Sequence, residues 1–140
     1  MKTLKKISLF LFLLITLSSF TSSTELYKGK WKGEDKGDIG LFILSDDGYA
    51  TFETDGKVMG GKSYVQNGAE ASMEYEVNEK VKPFTIDFII KFNKNKKELG
   101  RLKGILKILD NDKMLLSIGF GGAPRPKNFE KDVITLNRIK

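Results

Sequence analysis

Apolar and polar residues alternate along most of the chain. The clearest case is Phe84 to Phe92, where every second residue is large and apolar and the positions between include Thr85, Asp87 and Lys91. A period of two is typical of a strand with one buried face. Only Ile89 breaks the alternation, so this segment predicts a strand with a strongly apolar inner side.

Short turn signals separate such segments. Asp47-Gly48, Asp55-Gly56 and Asn67-Gly68 are residue pairs that favour tight hairpin turns, because both residue types tolerate a positive φ. No stretch after residue 24 has a helical period. The predicted strands are Glu25–Gly33, Ile39–Leu44, Tyr49–Glu53, Lys57–Val65, Ala71–Val77, Phe84–Phe92, Leu102–Leu109, Met114–Phe120 and Asp132–Ile139.

Eight or nine short strands with no crossover helix predict an all-β fold. The two candidates are a single up-and-down antiparallel β-barrel of about eight strands and a two-sheet sandwich. Sequential hairpins favour the barrel, and closure removes the exposed edges of apolar strands.

The loop Gly119–Lys131 contains Pro124 and Pro126, which donate no backbone hydrogen bond. We expect Phe129 and the prolines to hold this loop over one end of the barrel, with Arg125 binding carbonyls there.

The first 23 residues resemble a secretory signal peptide. Basic residues near Met1 precede the apolar run Ile7–Leu17, and the small polar tract Ser18–Thr24 follows. The apolar run is shorter than the roughly 20 residues of a membrane span. We therefore expect cleavage after Ser23 and an exported, periplasmic or secreted domain covering residues 24–140.

Charge and composition narrow the functional classes. Loss of Lys2, Lys5 and Lys6 with the leader reduces 24 basic residues to 21, against 18 acidic residues, so the formal charge falls from +6 to +3. Such a small excess gives no reason to expect nucleic acid as a partner. Cysteine and histidine are both absent, which excludes disulfides, a lipid-anchoring cysteine, thiol nucleophiles and histidine-based triads. We expect no enzyme activity, no cofactor and no metal.

Two residues at opposite ends of the domain indicate how the sheet closes. Trp31 follows Gly29 near the start of the first strand, and Arg138 shares parity with Ile134 and Leu136 near the end of the last. If those two aliphatic residues point inward, the guanidinium does so as well. It then needs a partner, and the face of Trp31 offers cation–π stacking. First and last strands are neighbours only in a closed sheet.

Gly29-x-Trp31 and Arg138 resemble the lipocalin signature. The segments Pro83-Phe84-x-Ile86-Asp87-Phe88, Gly104-Ile105, Asp112-Lys113-Met114-Leu115 and Arg125-Pro126-Lys127-Asn128-Phe129 are similar to a bacterial lipocalin-like domain family of small exported proteins. The resemblance covers most of residues 24–140. It implies an eight-stranded calycin-type barrel without an agreed biochemical activity.

An eight-stranded barrel is either filled by its own side chains or holds one small molecule. We predict a barrel interior that contacts a small apolar ligand and leave open that the same residues only fill the core. The predicted interior residues are Phe52, Tyr75, Phe84, Phe88, Phe92 and Phe120. The alternative function is a protein-interaction or inhibitor module that binds an envelope protein through loops such as residues 119–131. We expect a monomer.

Two pairs of carboxylates have the spacing of residues that act in acid–base chemistry or bind calcium. Asp35 and Asp38 form one pair, and Asp110 and Asp112 form the other. Each pair lies beside glycine or asparagine, so turn chemistry is the preferred interpretation.

Overall fold

A computed structural model describes residues 25–35 and 38–140. The predicted signal peptide, residues 1–23, lies outside the described residues. The described chain is all β, and within it no helix is long and apolar enough to cross a membrane. The strands are β1 Gly29–Asp35, β2 Asp38–Leu44, β3 Ala50–Thr54, β4 Lys57–Gln66, β5 Ala69–Asn78, β6 Phe84–Phe92, β7 Glu98–Asp110, β8 Lys113–Gly119 and β9 Ile134–Arg138.

The strands follow the predicted alternation, with shifts mainly at their ends. β6 has the predicted bounds, whereas β1 begins four residues later than predicted because Glu25 to Lys28 form a turn at the end of the barrel. The Asp55-Gly56 and Asn67-Gly68 turns both have positive φ at both residues. That geometry matches the right-handed twist of the flanking strands. The prediction of hairpin turns at these two residue pairs is therefore confirmed.

The sheet closes into an antiparallel barrel in which β1 pairs with both β2 and β9. Trp31 lies opposite Arg138 in the β1–β9 register, and Glu34 lies opposite Thr135. The chain's first and last strands are therefore neighbours. The predicted barrel is confirmed, and the two-sheet sandwich is wrong.

Nine strands raise a geometrical problem, because directions alternate around an all-antiparallel ring and only an even number closes it. β4 provides the solution. Residues 57–60 pair with β3, and residues 61–66 pair with β5. Next to β4, Tyr49 forms an antiparallel bridge directly with Glu74 of β5. Tyr49 directly precedes β3, so this bridge means that β3 and β5 run antiparallel to each other. A straight β4 paired antiparallel with both would make them parallel, so its two halves must run in different directions. The ring therefore has the alternation of an eight-stranded barrel.

Two glycines make the bend in β4. Gly60 and Gly61 have φ values of 106° and 78°, which residues with a Cβ rarely adopt. A Cβ on Gly60 would also press against the backbone oxygen of Ala50 and lie 2.6 Å from the end of Met73. The bend thus depends on both the backbone angle and the missing side chain.

The interior of the barrel is a packed core. Trp31, Met73, Phe88 and Leu136 are completely buried although they come from strands all around the ring. Protein interiors of this kind are close to crystal density. The interior is therefore occupied largely by the chain's own side chains.

Residues 120–133 form a strap that connects β8 to β9. The Arg125 guanidinium donates to the carbonyl of Gly104 at 2.8 Å and to that of Ile86 at 3.5 Å, and its Nη2 lies 2.7 Å from Asp87 Oδ1. The predicted binding of carbonyls by Arg125 is confirmed. The predicted position over a barrel end is wrong for this part of the strap. Ile86 lies in the core, so its neighbour Asp87 faces outward, and Arg125 meets the outer surface of β6 and β7.

Candidate functional site

Three of the predicted interior residues lie in the core. Phe52 and Phe88 make an edge contact, with ring centroids 4.8 Å apart, and the ring centroids of Phe42 and Phe52 are 4.7 Å apart. Tyr75 is 8% exposed and donates its hydroxyl hydrogen to the Ser45 carbonyl at 2.7 Å. Edge and tilted ring contacts of this kind stabilise a core. These three side chains pack on the protein itself.

The other three predicted residues have different surroundings. Phe84 is partly buried against the core at the start of β6, and Phe92 is partly buried at the end of that strand. Phe120 is 55% exposed, so its prediction as an interior residue is wrong. The physical reason is that β8 ends at Gly119, which packs closely against the backbone of the strap, and Gly121 then turns the chain with a φ of 63°. Strand parity has no meaning beyond the end of the strand.

The predicted signature residues meet at one end of the barrel. The Arg138 guanidinium carbon lies 4.2 Å from the centroid of the Trp31 ring, as a cation–π contact requires. Arg138 also donates to the carbonyls of Leu26 at 2.6 Å, Lys28 at 2.8 Å and Asn111 at 2.8 Å. The indole nitrogen of Trp31 donates to the Tyr27 carbonyl at 2.9 Å. This cluster fixes the segment before β1 to the last strand.

Gly29 has a spatial role in that cluster. Its φ is 129°, and a Cβ at this position would lie 2.6 Å from Nη1 of Arg138. A side chain would displace the guanidinium from the Trp31 face. The spacing of glycine and tryptophan in the sequence therefore reflects the room that the arginine needs.

An open apolar hollow lies beside this cluster, where the barrel wall is incomplete. β6 begins at Phe84, which is paired with Leu106, but β7 continues to Asp110. The stretch of β7 after Leu106 thus has no β6 neighbour. The resulting space has a volume of about 680 Å³, within the roughly 300–1,000 Å³ range of small-molecule sites. Its apolar lining residues are Leu26, Tyr27, Pro83, Phe84, Leu106, Ile108 and Phe129.

The charged residues of the hollow are mainly cationic. Lys82, Lys107 and Lys127 line it together with one carboxylate, Glu79. The Lys82 ammonium lies 4.0 Å from the centroid of the Phe84 ring. Within the described part of the chain, none of the three lysines has a carboxylate within salt-bridge distance. The hollow therefore combines an apolar wall with an excess of positive charge.

Burial also affects Tyr27, at the edge of this hollow. Desolvation, together with the charges of Glu25 and Glu79, raises the pKa of its phenol to about 12. The hydroxyl is thus neutral at physiological pH, and Tyr27 contributes an uncharged aromatic wall.

Sequence reasoning did not find the hollow. Phe84 was predicted to line the interior, but Tyr27, Ile108 and the lysines were not singled out as ligand contacts. Their proximity depends on the unequal lengths of β6 and β7, and no local pattern encodes that difference. Pro83 immediately before a strong strand was the one local signal that pairing stops there.

The turn that contains Asp110 and Asp112 has the contacts of an ordinary β-turn. Asp110 accepts a hydrogen bond from the backbone nitrogen of Asp112 at 2.8 Å, a contact typical of a turn. The carboxylate of Asp112 lies 3.3 Å from the Lys140 ammonium. Asp35 and Asp38 face each other in the β1–β2 register, and their side chains lie outside the described ones. Among the described residues, no group of three or more potential ligand side chains is placed to hold a metal ion.

Comparison of the chain with protein-family models, with curated proteins and with solved structures gives no match.

Proposed function

We propose that this protein is an exported, lipocalin-like binding protein that takes up a small apolar molecule, and that it is not an enzyme. The observation that carries the proposal is the apolar hollow of about 680 Å³ beside the start of β6. Concave, mainly apolar spaces of this size are the usual form of small-molecule sites. A monomeric protein that acts in the periplasm or outside the cell, without a lipid anchor, is part of the same proposal.

The hollow suits a ligand better than the barrel centre does. Phe52, Tyr75 and Phe88 are at most 8% exposed and already contact protein atoms. A ligand in the centre would have to displace them. At the hollow, by contrast, Phe84 and Ile108 are only partly buried and present apolar surface to solvent. Covering that surface with an apolar ligand is favourable by about 25 cal/mol per Å².

Two phenylalanines of the strap provide a matched test. Phe129 lines the hollow, whereas Phe120 is exposed elsewhere on the same segment. We expect saturable binding of the uncharged dye N-phenylnaphthylamine, measured by fluorescence. Phe129→Ala should weaken it about tenfold through lost apolar contact, and Phe120→Ala should leave it unchanged. Urea unfolding of both variants checks that the fold is intact. Absence of saturable dye binding to the wild type refutes the proposal.

The exposure of Phe120 supports a second candidate, an interaction module that binds an envelope protein through residues 119–131. A large apolar side chain exposed among Gly119, Gly121 and Gly122 is a typical anchor for a partner. The same two variants separate the candidates, because here Phe120→Ala should abolish pull-down of a partner and Phe129→Ala should not. Equal partner lists for wild type and Phe120→Ala contradict this candidate.

The export step has its own test. Expression of the full chain in a bacterial host, followed by fractionation and sequencing of the mature N-terminus, should give a product that begins near Thr24 or Glu25. Retention of Met1 on the stable cytoplasmic product contradicts export.

A further inference from the structure

We propose that the ligand of the hollow is an amphipathic anion, with its apolar chain against the aromatic wall and its acidic group at the lysines. This inference rests on the proposed function, and it adds the chemical class of the ligand.

The charge of the hollow carries the argument. Lys82, Lys107 and Lys127 contribute three positive charges, and Glu79 contributes one negative charge. Elsewhere on the described surface, four lysines lie within salt-bridge distance of a carboxylate; Lys62, for example, is 3.2 Å from Asp47, and Lys91 is 2.5 Å from Glu74. The lysines of the hollow have no such partner in the described part of the chain.

The position of the charge matters as much as its sign. Leu106 and Ile108 belong to the inner side of β7 and form the apolar floor, whereas the exposed Lys107 between them flanks the hollow from the outer side of the strand. Lys82 stands over the Phe84 ring, so the ammonium marks the boundary between aromatic wall and solvent. Lysine stems commonly cover apolar surface in this way while the charged head stays hydrated.

A ligand that matches both features needs two parts. An alkyl or ring system covers Tyr27, Phe84 and Phe129, and a carboxylate, sulfate or phosphate group at one end meets the ammonium groups. An uncharged ligand of equal size uses only the first part. A cationic ligand meets repulsion from three lysines and attraction only from Glu79.

Three probes with the same alkyl chain separate these cases. Dodecanoate, dodecanol and dodecylammonium are each titrated below their aggregation concentrations, as competitors of bound N-phenylnaphthylamine. We expect dodecanoate to bind about three- to tenfold more tightly than dodecanol, since each exposed ion pair adds a modest attraction and Glu79 opposes part of it. Dodecylammonium should bind more weakly than the alcohol. The preference for dodecanoate should decrease with salt, because exposed charges are screened.

Charge-removing variants locate the effect. Lys82→Gln and Lys127→Gln should each weaken dodecanoate binding about two- to fivefold, in proportion to one exposed ion pair, without changing dodecanol binding. Lys57→Gln is the matched control, since Lys57 is an exposed lysine at the β3–β4 turn, outside the residues that line the hollow. It should leave both affinities unchanged.

The outcomes are distinguishable. Equal affinities for dodecanoate and dodecanol overturn the ligand class and leave the proposed function standing. An equal loss in Lys57→Gln and Lys82→Gln also overturns the ligand class, because it means that the anion responds to overall charge. Failure of all three probes and of the dye to bind overturns the proposed function, and the inference falls with it.

Discussion

Replacing Trp31 and Arg138 singly and together measures the contact that joins the two ends of the barrel. Trp31 is completely buried, and Arg138 covers its ring at 4.2 Å. The pair also occupies opposed positions in the β1–β9 register. The two side chains should therefore contribute to stability as one unit.

The magnitudes follow from the contacts. Trp31→Ala removes a fully buried ring, which costs about 3–5 kcal/mol. Arg138→Ala removes three hydrogen bonds to carbonyls and the cation–π contact. A hydrogen bond from a charged group is worth about 1.5–3 kcal/mol when it is well shielded, but the Arg138 side chain is 22% exposed and water replaces part of each bond. We expect a total loss of about 2–4 kcal/mol for Arg138→Ala.

Equilibrium urea unfolding of the four proteins gives the coupling energy. The loss in the double variant should be smaller than the sum of the single losses by about 1–2 kcal/mol, since the cation–π contact is counted in both single variants. Trp31→Phe serves as a milder replacement if the alanine variant does not fold. Arg101→Ala is the control: its ion pairs with Asp87 and Glu98 lie on the outer surface, and it should be additive with Trp31 changes.

Additivity of the Trp31 and Arg138 changes to within about 0.5 kcal/mol would refute this account. It would mean that the ring and the guanidinium stabilise the protein independently. The observed stacking would then not be what joins β1 to β9.

Three further predictions concern other parts of the fold. Gly60→Ala should destabilise the protein by about 2–3 kcal/mol in urea unfolding, because it combines a positive φ with a backbone clash. Gly56→Ala, with a positive φ and open space, should cost only about 1 kcal/mol. Equal losses in the two variants contradict the role of Gly60 in the bend of β4. Burial raises the pKa of the Tyr27 phenol, so it stays protonated in the folded state while the unfolded phenol ionises. The free energy of unfolding should therefore fall between pH 10 and pH 12, and Tyr27→Phe should reduce that fall by about 2–3 kcal/mol. Parallel stability profiles for the two proteins contradict this prediction. Arg125→Ala should expose the strap to limited proteolysis while the core strands stay protected in hydrogen exchange; an unchanged cleavage rate shows that Arg125 does not hold the strap.

The alternating pattern of apolar and polar residues alone predicts most of the fold. Alternation is a local property of an extended backbone, since successive side chains point to opposite faces. The bounds of β6 and the turns at Asp55-Gly56 and Asn67-Gly68 were therefore predicted correctly. The shared parity of Arg138 with Ile134 and Leu136 also predicted its contact with Trp31, since both positions face inward from adjacent strands.

The sequence by itself determined most of the strands and their inner faces, and it favoured closure of the sheet over a two-sheet sandwich. Only the tertiary structure decided that β4 bends to give nine strands the alternation of eight, that Phe120 lies outside the core, and that an apolar hollow with three lysines opens beside Phe84. The physical reason is the separation along the chain of the residues that decide each property. The face on which a side chain lies follows from its immediate neighbours, whereas the end of a ladder and the space beyond it depend on partners far away in the chain.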